Sequence, residues 1–335
     1  MTWEERLLRA KAALAYREAH WEIWTARSQR ELAAAVHRAE RQILTALDEG
    51  MSAAGVVKLE DAFTGSRAER AAVRGMLQAM EDLSGGPLAE SFKAWVKTNA
   101  PLAYKEGREN GRVFVEAMNS ETGPPYGVGH EYLHWRWTKQ DAEALKATVT
   151  QAYKFANQIP AESAEYYREI MARAVGERWS RKQLIQTLVR DGELTSLTDS
   201  AGREISVQRR AAMFADWHLN DTVNMAQKTH DTLAFGEDPP MIWDAVIDSH
   251  TSEITLERVG KIQKRSEWEA AGGNVFDGSG IPPLWPGCRC KLRAVDKTWF
   301  SEDEWTQATG GESMLTGQDL ELYNRRKAEL AAKAA

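Results

Sequence analysis

Between Trp3 and Asp48 the chain contains neither glycine nor proline, and no other feature limits its fold as strongly. The run is rich in Ala, Leu, Glu and Arg, all good helix formers. Leu7, Leu14, Ile23 and Trp24, then Leu32, Val36, Ile43 and Leu47, fall at helical spacings. Thr2 with Glu5 spells a capping box and Gly50 a stop. The spacing predicts one helix of about 45 residues, ~65 Å long, with Ser28 as the place where it would break. A small domain cannot cover such a helix. It needs a long antiparallel partner within its own bundle, a large protein partner, or self-association with another copy.

Further helices are expected over 67–83, 88–98 and 101–119, with Gly85-Gly86-Pro87 as a break and Gly107 and Gly111 weakening the third. Gly123-Pro124-Pro125 opens a loop. Thr138 with Asp141 caps a helix to about 157 that Pro160 should end. Helices over 161–175, 180–190 and 207–235 follow, the second capped by Ser180, with a polar turn at 195–205 between the last two. The domain reading is a helical region 1–120, a linker 121–137, a central helical domain 138–238, a small module 239–296, and a tail 297–335 ending in a sparsely apolar helix. The tail is irregular up to 317, and its last helix is either solvated or ordered by a partner.

The small module has a different grammar. Pro282, Pro283 and Pro286 fix φ and remove backbone donors, so 281–287 is a rigid extended loop. Cys288-Arg289-Cys290-Lys291-Leu292-Arg293 then alternates with the period of a strand. Upstream, 241–248 reads as a first strand, followed by a turn at 249–252 and a short helix closed by Gly260. The fold class is therefore mainly α, with a long N-terminal helix, a helical bundle and a small α+β C-terminal module.

The order Trp243, Asp248, Thr251, Gly260, Pro282, Pro283, Pro286, Cys288, Arg289, Cys290 resembles the C-terminal end of the phage Mu F-like head morphogenesis family, the minor head proteins of tailed phages. Arg210-Ala211, Ala215 and Asn224 fall where that family has Arg-Ala, Ala and Asn, and the likeness covers roughly 163–295. Many members carry His at the position of Trp285, Cys or His at that of Thr255, and Arg-Thr-Glu where this chain has Asp216-Trp217-His218. With those side chains replaced, the resemblance implies no metal and no cofactor. It implies a non-catalytic component acting in head assembly, with a portal protein, a major capsid or scaffold protein and packaged double-stranded DNA as partners. It would reside in host cytoplasm and then in the virion.

Composition agrees with a soluble, reduced protein. Net charge is −6, two cysteines cannot build a disulfide framework, no apolar run is long enough to cross a bilayer, and the N-terminus lacks a signal-peptide pattern. Thirteen tryptophans suit cores and interfaces alike. Within the acidic chain, Lys261, Lys264, Arg265, Lys291 and Arg293 form a locally basic stretch that would suit a salt-sensitive phosphate contact, or else a mixed solvated face.

Three constellations invite chemistry. His130-Glu131-Tyr132-Leu133-His134 spells the zinc-peptidase pattern, in which two His on one helical face hold the metal and Glu acts as base. Gly127 and Gly129 just before it, Arg136 two residues after it where that pattern normally wants an apolar side chain, and a helix start at Thr138 argue for a loop or strand instead. Cys288 and Cys290 read as buried structural thiols; a nucleophilic thiol or a nuclease-like centre would need His250, with Asp248 to orient it. Asp248 and Arg289 read as an ion-pair clamp between the two ends of the module, with Thr251 capping the helix after Asp248.

Overall fold

The computed structural model describes residues 2–53, 86, 88–119, 137–177, 179–180, 182–184, 186–187, 207–274, 278–285 and 288–334. The expected helix over 67–83, the turn at 195–205, the His130–His134 match, and Pro286 and Gly287 lie outside them. The architecture is mostly helical, with a long N-terminal helix and one three-stranded antiparallel sheet near the C-terminus. Four long helices, α1 (Trp3–Ala53), α2 (Ala89–Asn119), α3 (Lys139–Gly176) and α4 (Val207–Phe235), precede a module of β1 (Pro240–Asp244), α5 (Glu253–Arg258), β2 (Ile262–Lys264), α6 (Arg265–Ala270) and β3 (Lys291–Ala294). A 3-10 turn (Lys297–Trp299), α7 (Glu302–Thr309) and α8 (Gly317–Ala334) close the chain. Among the described residues no helix is long and apolar enough to cross a membrane.

Capping chemistry placed the helix starts correctly. Thr2 N donates to Glu5 and Glu5 N to Thr2 Oγ1; Thr138 with Asp141 and Ser180 with Gln183 repeat the exchange. The breaks expected at Ser28, Pro101 and Pro160 are absent. Ser28 does not interrupt α1; it is buried, its hydroxyl donates to Asn99 Oδ1 (3.1 Å) and its carbonyl accepts from the Trp95 indole (3.0 Å). Two expected helices merge into α2 through Pro101, and two more merge into α3 through Pro160. A proline removes one hydrogen bond and crowds one carbonyl, a local cost that a helix of 31 or 38 residues absorbs. Pro101 also sits on the exposed side, where bending is easiest.

The chain divides into two compact units, and α1 to α4 each contribute residues to both. One unit comprises Ala26–Asn99 and Val149–Ala215. Its interior includes Leu32, Val36, Phe92, Trp95, Ala152 and Phe214, with Phe214 edge-on to both Phe92 and Trp95. The other comprises Met1–Thr25, Ala100–Thr148 and Asp216–Ala335 and contains the whole sheet.

In that second unit the sheet order is β2-β1-β3, and both its faces are buried. Alternation along β1 sends Met241 and Trp243 into one cluster with Leu256, Trp268, Leu284, Cys288, Cys290 and Leu292. Ile242 points the other way, into a cluster with Trp3, Ala10, Leu14, Phe114, Met118, Ile262 and Trp299. The tail joins this body. The 298–317 stretch contains α7, started by a Ser301–Glu304 capping box, and α8 lays Leu322, Tyr323 and Leu330 against the first cluster. Arg326, also on α8, is buried and its Nε donates to Thr251 O at 3.0 Å. The last helix is therefore ordered by its own chain.

Gly107 and Gly111 mark a helix crossing. A Cβ on Gly107 would lie 2.2 Å from Val223 O and 2.8 Å from Ala226 Cβ of α4, and one on Gly111 would lie 2.8 Å from the His230 ring. Alanine normally favours a helix over glycine by about 1 kcal/mol. Here Gly107→Ala is expected to reverse that sign and destabilise by roughly 2 kcal/mol, because backbone must separate. Urea denaturation measures it, and a variant as stable as the parent would contradict the crossing.

Candidate functional site

Of the C-terminal positions singled out in the sequence, Trp243, Asp248, Thr251, Gly260, Pro282, Pro283, Cys288, Arg289 and Cys290 lie among the described residues and come together in the α+β module, where each has a packing or hydrogen-bonding task. Trp243 is fully buried, tilted against Trp268 (5.1 Å) and covered by the Arg258 guanidinium (5.1 Å). Gly260, at φ +77°, turns the chain from α5 into β2; a Cβ there would meet Ser313 Oγ at 2.5 Å. Its carbonyl accepts from Met314 N and its N–H donates to Trp243 O. Pro282 and Pro283, joined by a cis bond, are buried. Asn224 of α4 donates to Pro282 O (3.1 Å) and Cys290 O (3.4 Å), fastening the proline loop and the Cys-Arg-Cys stretch to the helix.

Arg289 donates to Asp248, as the clamp reading required. Burial would raise the Asp248 pKa, but the Arg289 bond and the His250 N–H (2.8 Å) outweigh it and hold the carboxyl below its usual range. The pair is largely exposed, at 43 % and 32 %. Thr251 does not cap α5. It accepts from Asp248 N (2.8 Å) and donates to Val246 O (3.2 Å), closing the preceding turn, while Ser252 is the N-cap and accepts from Thr255 N. The Ser252-x-x-Thr255 spacing carried that signal.

Cys288 and Cys290 precede β3 and are both buried and free. The two thiols hydrogen-bond: this lowers Cys288 and, with burial, raises Cys290. Thr255 Oγ1 lies 3.5 Å from Cys290 Sγ. Among the described residues no group of three or more His, Cys, Asp or Glu is placed to hold a metal. His250 is exposed in its turn, and its backbone N–H donates to Asp248.

The basic stretch is mostly turned inward. In the β1–β3 register Arg293 sits opposite Ile242 and so shares the face covered by α1 and α2. It is 2 % exposed; Nε donates to Asp244 (2.7 Å), a terminal nitrogen reaches Glu18 of α1 (3.2 Å), and the guanidinium lies over Phe114 (5.0 Å). Lys291 also binds Glu18 (2.8 Å), and Lys11 of α1 lies between Asp244 (4.0 Å) and Asp319 of α8 (2.5 Å). Burial alone would raise the carboxyls of Glu18 and Asp244. Lys291 and Arg293 for the first, and Arg293 and Lys11 for the second, hold both below their ordinary values. Arg265 is buried as well, donating to Thr232 Oγ1 (2.7 Å) and Glu237 O (3.0 Å). The proposed phosphate contact is corrected accordingly: Arg265 and Arg293 are internal cations, and half-buried Lys291 is held by Glu18. Lys261 is half-buried, leaving Lys264 alone of the five exposed.

An open cleft of about 460 Å³ is lined by Thr2, Glu5, Thr298, Trp299, Phe300, Ser301 and Glu304. Its two carboxylates close the capping boxes of α1 and α7. In α4, His218 is fully buried, and burial pushes its pKa down to about 3. No family model, no curated protein and no solved structure matches the chain.

Arg293→Met removes the buried cation that Asp244 and Glu18 share, leaving them only Lys11 at 4.0 Å and Lys291 at 2.8 Å, and should cost about 3 kcal/mol, whereas Arg289→Ala at the exposed pair should cost under about 1 kcal/mol. Equal costs in chemical denaturation would contradict the assignment. For His218, the unfolded chain takes up a proton below about pH 6.5 and the folded chain only near 3. Stability should therefore fall by up to about 1.4 kcal/mol per pH unit below 6.5. His218→Leu should flatten that slope in thermal melts at pH 7, 6 and 5; an unchanged slope would rule the residue out.

Proposed function

We propose that this chain is a minor head protein of a tailed phage or prophage: a non-catalytic assembly component that docks at the portal and inner capsid. One observation carries the reading. The residues that resemble the Mu F-like ending are spent on building a rigid module: a buried Trp243, a positive-φ Gly260, buried prolines, buried thiols and the Asp248–Arg289 clamp. Motif residues that serve shape rather than turnover suit a protein whose task is to present a surface. Asn224, matched by the same resemblance, supports the reading by fixing the proline loop to α4.

In this reading the module's outer face and the long helices supply docking surface, with the portal as first partner and capsid or scaffold protein as second. Any contact with packaged DNA would run through exposed lysines such as Lys264 rather than through the buried arginines. Affinity purification of the tagged chain from cells assembling phage heads is expected to recover the portal protein in a fixed ratio. Arg293→Met, by loosening the module, should lower that recovery. A chain that never enters procapsids would overturn the proposal.

A further inference from the structure

No further inference is drawn: the strongest candidate, the exposed surface patch of Arg27, Arg30, Arg38 and Arg41 along the second half of α1, is a charged helix face, and nothing in the structure shows what covers it.

Discussion

The second unit depends on the buried guanidinium of Arg293. A sheet of three short strands needs a covered apolar face to be stable, and this one is covered on both. One face brings β3's charged side chain under α1 and α2, where an unpaired cation would be prohibitive. Asp244 from the neighbouring strand, Glu18 from the first helix and the Phe114 ring answer that charge together. The consequence is register: α1 can rest on the sheet only where Glu18 meets Arg293 and Lys291. Such a pairing adds less to stability than to uniqueness, since a shifted helix would leave a buried charge unanswered.

The same logic runs outward. Lys11, seven residues before Glu18 and so on the same side of α1, faces Asp244 and Asp319, which ties the first and last helices to one strand. Arg17 reaches Asn110 and Glu106 of α2, where burial raises the Glu106 carboxyl despite that partner. Arg326 of α8 closes on Thr251, and Asn224 of α4 on the proline loop. Chain segments hundreds of residues apart thus converge on one small module through charged or amide side chains, while the apolar clusters supply most of the burial.

Local chemistry was legible in the sequence and long-range chemistry was not. Helix starts at Thr2, Thr138 and Ser180 are written within four residues, and so is the turn at Gly260. Pro101 and Pro160 misled because their cost is local while the helix around them is held by many other bonds. Gly107 and Gly111 looked like weak helix formers because their reason, the approach of α4, lies over a hundred residues away. Lys291 and Arg293 looked like a solvated basic face because alternation says only which side chains share a face. It does not say that a helix 275 residues upstream covers it. Of the module's own motif, the buried tryptophan, the closing glycine and the Asp248–Arg289 pair could be anticipated; the capping role of Ser252 was there to be read in its spacing to Thr255.

The central claim is that α1's first turns and the sheet are one cooperative structure fastened at Arg293. Native-state hydrogen exchange along a denaturant series tests it most directly. The account predicts that the slow amides of residues 6–22 and those of 241–244 and 291–294 open together, converging on one free energy and one denaturant dependence. Exchange of the helix at low denaturant while the sheet stays protected would contradict it.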